Sequence, residues 1–412
     1  MSAGARPLGP VPAGFGAIDG ELAIAGLRAS ELVARAGNTP LFVYSAALIR
    51  ARVTELRQAL PARVALHYAV KANPFAPLLA LLAELVDGFD IASGGELALA
   101  LAAGIAPGRI SFAGPGKRDD ELAAALAAGV TINLESEGEA ARALAIAASL
   151  GLRARLAIRV NPDFDLKGSG MKMGGGAKPF GVDAALVPAL ARHIVAQGAE
   201  WRGFHIFAGS QSLDAEAIIT AQRETLALAM RLAAEAGVAL VHCNLGGGFG
   251  IPYFAGDQRL DLPRIGAALD AGLPALPARF ADTGFCVELG RYLVGEAGVY
   301  LTRIVDRKHS HGETFLVCDG GLHHQLAASG NFGTVVRRNY PLANASRFAA
   351  PAEEIATVVG CLCTPMDRLA ERAHLPQSAV GDLVALFCAG AYGASASPAA
   401  FLGHSPAAEM LV

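Results

Sequence analysis

The sequence predicts an α/β protein built as an eight-stranded (β/α)8 TIM barrel with an all-β domain after it, and three observations carry that reading. From residue 64 to 295, apolar runs of strand length alternate with Ala/Leu/Glu-rich segments of helical length. Eight such runs can be counted, the number that parallel strands use to close into a barrel. After residue 295 the helical period fades into short runs rich in strand-forming residues, divided by Gly, Asp and Asn turns.

The first strand spans 64–71 (VALHYAVK) and ends on Lys71, with a helix-breaking Asn73-Pro74 immediately behind it. Strands two to four are read at 88–93, 109–114 and 130–135, and strands five to eight at 154–161, 203–208, 239–246 and 285–289. Helices are expected near 74–85, 94–104, 119–128, 137–150, 183–198, 214–236 and 262–279; Asp119 and Ser136 mark two of their starts. The Gly-rich stretch 165–179 (DLKGSGMKMGGGAKP) is too poor in apolar side chains to pack and reads as a mobile lid or a plain surface loop. Beyond the barrel, strands are expected at 297–305, 314–319, 355–363 and 382–388, with residues 18–36 lending a further strand from the N-terminal side. The predicted organisation is an N-terminal segment 1–36 packing on the β domain, a barrel over 37–288, and a β-sandwich or β-barrel domain over 289–412.

Composition narrows the function. Of 412 residues, 53% are hydrophobic and 17% charged, which suits a compact enzyme and argues against extended disorder. A net charge of −3 gives no electrostatic case for nucleic acid or an anionic membrane surface. No apolar run reaches the ~20 residues needed to span a bilayer, and residues 1–15 lack a charged head followed by an apolar run. A cytoplasmic location is therefore expected. The six cysteines form no C-x-x-C pair, so neither a zinc site nor a thioredoxin-type motif is expected, and no metal.

Barrel enzymes place their chemistry at the C-terminal ends of the strands. That filter selects Lys71, Asp90, Lys117, Glu135, Arg159, His205 with Phe207 and Ser210, the run Gly246-Gly247-Gly248, and Glu288 with Arg291. Lys71 is one of only six lysines, and an amine stripped of water at a strand tip is a nucleophile toward carbonyls. A carbonyl cofactor connects the set. Pyridoxal phosphate needs an amine for a Schiff base, a carboxylate to keep its ring nitrogen protonated and backbone donors for its phosphate; Lys71, Glu288 and Gly246-Gly247-Gly248-Phe249-Gly250 match those needs. Gly114-Pro115-Gly116-Lys117 is no P-loop, because it lacks the spacing and the Ser/Thr after lysine.

Seven motifs, HYAVKAN, FDIASGGEL, GFHIFAGSQ, NLGGGFG, ELGR, CTPMD and GAYG, occur in the order found in fold-type III pyridoxal-phosphate decarboxylases, which the chain resembles over roughly residues 35 to 412. The family includes diaminopimelate and ornithine decarboxylases on an alanine-racemase-like barrel. Segments 329–341 (SGNFGTVVRRNYP) and 390–403 (GAYGASASPAAFLG) look most like the branch associated with exosortase A polysaccharide systems. A related branch acts on aminoacyl groups held by acyl-carrier proteins.

The resemblance implies roles position by position. Lys71 matches the Schiff-base lysine and Glu288 the partner of the pyridinium nitrogen. Ser210, Gly247, Gly248, Gly290 and Tyr392 match cofactor or phosphate contacts, and Arg291 a contact to cofactor and substrate. Asp90 and Arg159 match residues that position ring and lysine, with a buried ion pair as the plainer reading. Cys363 matches the acid that returns a proton after carbon dioxide leaves; a thiol protonated at neutral pH suits that task. In relatives this cysteine and the nearby acid, here Asp367, which matches a substrate contact, come from the partner subunit, which implies a homodimer with shared active sites.

Two departures stand out. Phe207 occupies the place of a histidine that stacks on the cofactor in relatives, and His205, two residues earlier, faces the same side by period-two alternation. His205 is thus either a catalytic candidate or a packed barrel histidine. Second, Thr364 follows the cysteine where diaminopimelate and ornithine decarboxylases carry an acid that reads the distal amine. Burying a distal ammonium without a counter-charge costs several kcal/mol, so a substrate with a neutral, anionic or thioester-linked end is expected. Arg337 or Arg338, with Tyr340, is the candidate carboxylate reader. The leading expectation is a decarboxylase of a non-dibasic or carrier-bound amino acid; diaminopimelate decarboxylase and a cofactor-less binding protein are the alternatives. A racemase would need a second base opposite the lysine.

Overall fold

The computed structural model describes residues 4–164, 166, 170–172, 174–330 and 336–412. They form two compact units. One holds residues 53–250 and 260–290; the other holds the chain before residue 53 together with 251–259 and the chain from 291 onward.

The first unit is the barrel. Its strands are Val64–Ala69, Gly88–Ile91, Ile110–Phe112, Thr131–Leu134, Arg155–Asn161, Glu200–Ile206, His242–Gly247 and Gly284–Leu289. Each pairs in parallel with the next, and the eighth returns to the first, Glu288 lying in register with His67. All eight predicted strands are present. On the first, Val64, Leu66 and Tyr68 are buried while Ala65, His67, Ala69 and Lys71 line the interior cavities, as period-two alternation requires. Each large apolar side chain removed from water there contributes about 1.5–3 kcal/mol.

Helices follow the predicted order, and local chemistry sets their ends. Ser93, Ser136 and Asp214 accept backbone N–H groups at the starts of Gly94–Ala102, Glu137–Ser149 and Ala215–Ala236, caps worth about 1 kcal/mol each. The helix expected over 183–198 begins only at Val187, because Val182–Asp183 pairs with strand five. The one expected over 262–279 stops at Gly272, just before Pro274.

The second unit is β-rich, as expected for the C-terminal part. Its spine is Gly298–Ser310, which pairs antiparallel with Leu41–Tyr44, Leu383–Leu386 and Glu313–Cys318. Further strands, Glu354–Val359 and Arg368–Leu375, extend the sheet. The strand lent from the N-terminal side is Leu41–Tyr44, four buried residues in a row, and not part of 18–36. Residues 16–28 instead make their own three-stranded antiparallel sheet. It is tied in through Leu22, Ile24, Leu32 and Val33, which share a core with Leu41, Val43, Val299, Leu301 and Phe387.

Of the stretch 165–179 read as a lid, residues 165, 167–169 and 173 lie outside the described residues; Met171–Lys172 pairs with Gly209–Ser210. Residues 331–335 of the segment 329–341 likewise lie outside them. Among the described residues, no helix is long and apolar enough to cross a membrane.

Candidate active site

At the C-terminal end of the barrel, Lys71 sits in a single 3-10 turn, Val70–Ala72, directly after strand one. Contrary to the expected partial burial, it is exposed. The turn carries the side chain past the strand end, so the amine reaches the mouth of the barrel and its Nζ lies 5.7 Å from the ring centre of Phe207. Lys71, Asp90, Arg159, His205, Phe207 and Glu288 line one cavity of about 200 Å³. Alternation along strand six does place His205 and Phe207 on the same wall.

Glu288 is the electrostatic centre of that cavity. Burial pushes its carboxyl up, but the hydrogen bond and charge of His205, with the positive fields of Lys71 and Arg159, outweigh burial and hold it below the usual carboxylate range. The His205 Nε2 lies 2.9 Å from Glu288 Oε2. An anionic carboxylate only accepts, so Nε2 carries the hydrogen. His205 is therefore more than packing, and its buried Nδ1 has no partner among the described residues.

Asp90 and Arg159 meet other groups as well. Asp90 Oδ2 lies 3.2 Å from His67 Nδ1, while its buried Oδ1 has no partner among the described residues. Burial would lower the His67 pKa, but Asp90 outweighs it and raises it. Arg159 pairs with Glu135 at 2.9 Å, the buried ion pair that was the plainer reading, while its side chain still borders the cavity. Glu135 also accepts the N–H of Gly181 and stays below its ordinary pKa, since Arg159 and Lys117 outweigh burial. Lys117 is wholly interior, bound to Glu139 at 2.6 Å and to the carbonyls of Gly114 and Asn133. It braces strands three and four and does not line this cavity.

The glycine run after strand seven is demanded by close backbone approach. A Cβ on Gly247 would lie 1.9 Å from the Glu288 carbonyl oxygen, and one on Gly248 would lie 2.4 Å from that of Gly209, with Gly248 at φ +79°. This segment is zipped to the one bearing Ser210 by Ser212 N–H to the Gly248 carbonyl and Gly250 N–H to the Ser212 carbonyl, both 2.8 Å. Gly290 lies against the turn of Lys71, where a Cβ would meet Ala72 Cβ at 2.8 Å.

The β-rich unit carries the other candidates. Arg291 donates to the Tyr253 hydroxyl at 2.7 Å and lies 4.6 Å from the ring centre of Tyr392. Tyr340 is buried against Tyr253 and Phe254, at ring distances of 4.6 and 5.5 Å. Arg337 donates to the Arg368 carbonyl, whereas Arg338 stacks on Phe254 at 3.7 Å and remains half exposed near Asp257. Cys363 is exposed and Thr364 partly so. Asp367, expected to meet substrate, is instead buried: Oδ1 accepts Leu322 N–H at 2.7 Å and Oδ2 accepts Leu362 N–H at 2.9 Å. Its carboxylate shapes the loop that bears Cys363.

Two participants escaped the strand-end filter. His67 lies two repeats of the alternation before Lys71, and that same-face spacing along strand one was its signal. Tyr253 sits in a segment without a regular element and gave no signal.

Comparison with known proteins agrees with this geometry. The family described as pyridoxal-dependent decarboxylase, pyridoxal binding domain, matches residues 46–295. The chain is 37% identical to the L-glutamyl-(acyl-carrier protein) decarboxylase of Niallia circulans, over 90% of this chain and 88% of that one. It is 34% identical to the diaminopimelate decarboxylase of Aquifex aeolicus, over 96% and 91%. Among solved structures, diaminopimelate decarboxylase from Helicobacter pylori complexed with L-lysine superimposes with a TM-score of 0.82 at 30% identity, over 93% of this chain and 94% of that one. With eight parallel strands, a lysine and an anionic glutamate at one barrel mouth, and relatives matching nearly end to end, the chain belongs to the pyridoxal-dependent decarboxylases.

Proposed function

We propose that the chain decarboxylates an amino acid carried as a thioester on an acyl-carrier protein, with a glutamyl group as the leading substrate, using pyridoxal 5'-phosphate. The observation that carries the substrate reading is Asp367. It is the sole carboxylate of residues 361–367, and both its oxygens are held by backbone N–H groups, so no free anion there can pair with a distal ammonium. The acyl-carrier relative at 37% identity supports the same reading.

The donor set suits the cofactor. Lys71 is the amine that would hold its aldehyde, Phe207 offers a ring face beside that amine, and Glu288 is already an anion able to keep a proton on a ring nitrogen. Ser210, Gly247 and Gly248 are assigned to the phosphate; for Gly290, Arg291 and Tyr392 that role rests on the motifs ELGR and GAYG. When bound, pyridoxal phosphate supplies the electron sink that cleavage of the bond to the carboxylate needs. His205 holds Glu288 in its charged form and orients it. Asp90 and Arg159 fix the cavity wall through His67 and Glu135. Cys363, exposed on its own chain, is assigned the returning proton in a neighbouring subunit, so a homodimer with shared sites is part of the proposal.

Diaminopimelate decarboxylation is the second reading, favoured by relatives such as the Aquifex aeolicus enzyme. Reconstituted protein is offered L-glutamyl-carrier protein and free meso-diaminopimelate in parallel, and carbon dioxide is measured. Turnover of the carrier-linked substrate alone supports the proposal, and fast turnover of diaminopimelate overturns it. A protein that takes up no cofactor would be a binding protein instead.

A further inference from the structure

Three residues distant in sequence, His323, Cys361 and His404, bring their ligating atoms within 4.8 Å of one another in the β-rich unit. The Cys361 Sγ lies 3.9 Å from both ring nitrogens of His404. The imidazoles of His323 and His404 are 5.0 Å apart between centres. Tetrahedral zinc with bonds of about 2.0–2.1 Å to nitrogen and about 2.3 Å to sulfur separates such atoms by roughly 3.3–3.6 Å. A contraction of about an ångström closes the set.

A second observation points to a ligand. His323 is completely buried, yet neither of its ring nitrogens has a hydrogen-bond partner among the described residues. A buried neutral imidazole left so forfeits one donor and one acceptor, each costing about 1–3 kcal/mol. Its neighbour His324, by contrast, uses both nitrogens, meeting the Tyr300 hydroxyl at 3.0 Å and donating to the Ser405 carbonyl at 2.9 Å.

The surrounding bonds hold the three groups in place. His324 grips Ser405 and so sets His404 beside His323. Asp367 accepts from Leu322 and Leu362 together, and so sets Cys361 beside His323. Outer bonds that fix ligand-bearing segments are the usual support of a metal centre.

We infer that His323, Cys361 and His404 form a binding site for a zinc-type divalent cation. One thiolate and two imidazoles select a borderline-soft ion over magnesium or calcium, which prefer oxygen. The thiol releases its proton as the metal–sulfur bond forms. His404 is exposed on its own chain, so the fourth position is open there to water or an added ligand. The ion cross-links the loop that also bears Cys363 to the segment before the last strand, Ala408–Leu411.

The test uses tag-free full-length protein, stripped with a chelator and equilibrated with zinc or with cobalt(II). Stoichiometric retention, and a thiolate-to-cobalt charge-transfer band, are expected. Cys361→Ser removes the band, and His404→Ala, at an exposed position, weakens zinc binding by about a hundredfold or more with an unchanged circular dichroism spectrum. Failure of the wild type to retain zinc at micromolar concentration overturns the inference, as does retention that neither variant alters. The readout is metal content and colour, so it stands or falls separately from the decarboxylation assay.

Discussion

His205 on the sixth barrel strand donates its Nε2 hydrogen to Oε2 of Glu288 on the eighth, 2.9 Å away, reaching across the intervening seventh strand. The bond joins two buried side chains on one wall and settles the charge of Glu288 before any ligand arrives.

Removal of that donor should change chemistry more than fold. His205→Ala leaves Glu288 to the effect of burial, which raises its pKa, and costs about 1–3 kcal/mol in stability. Glu288 then titrates nearer neutrality, and the pH profile of kcat shifts upward on its acidic limb. His205→Gln, which keeps an N–H donor, should restore the profile in large part.

Acid should weaken the barrel from its lower end. His242 lies beside a second cavity, and burial, helped by the charges of His67 and Arg202, lowers its pKa to about 3. A depressed pKa means the unfolded chain takes the proton first. The contribution is whole above the unfolded value near ~6.5 and is lost as pH falls toward 3, on the order of 5 kcal/mol across the window. Glu288, also depressed, adds to the loss only below about 4.5. Urea unfolding at pH 7, 6, 5 and 4 should show the decline, and His242→Gln should flatten it.

Lys71→Ala should abolish the visible absorption of cofactor-loaded protein and lower decarboxylation by about a thousandfold or more. The side chain is exposed, so thermal stability should move by no more than about 0.5 kcal/mol. A variant with full colour and activity would remove Lys71 from the chemistry.

Asp367→Ala strips acceptors from the Leu322 and Leu362 N–H groups and should destabilise the β-rich unit by about 2–4 kcal/mol, read by denaturant unfolding. Asp367→Asn retains one carbonyl acceptor and should lose roughly half as much.

Thr364→Glu supplies an outward carboxylate, which the loop lacks because Asp367 is buried. If the site discriminates by charge, kcat/KM for meso-diaminopimelate should rise about tenfold, equivalent to about 1.4 kcal/mol, while turnover of glutamyl-carrier protein falls. Steady-state kinetics on both substrates decide it.

The barrel was legible from the sequence because each strand carries two periodic signals, alternation within itself and a helix behind it. Lys71, Phe207 and Glu288, picked out by their position at strand ends, do line one cavity. Less was visible in the β-rich unit: Leu41–Tyr44 pairs with a strand more than 250 residues later, and nothing local announces such a partner. Asp367 looked like a substrate ligand because acid residues look alike in one dimension; its burial depends on two backbone groups from separate loops. His323, Cys361 and His404 span eighty-one positions, and no spacing rule could join them. Bonds local to an element leave a pattern in sequence, and bonds between distant loops do not.

The internal anchoring of Asp367 has an evolutionary consequence. The buried carboxylate does most to hold the loop, with Thr364 Oγ1 accepting the Met366 N–H as a weaker brace, so the side chains of Cys363, Pro365 and Met366 face outward with little part in the fold. Under the proposed assignment, threonine, proline and methionine could be exchanged to suit a new substrate while the thiol keeps its place. One scaffold can in this way diversify its diet of amino acids through three neighbouring codons.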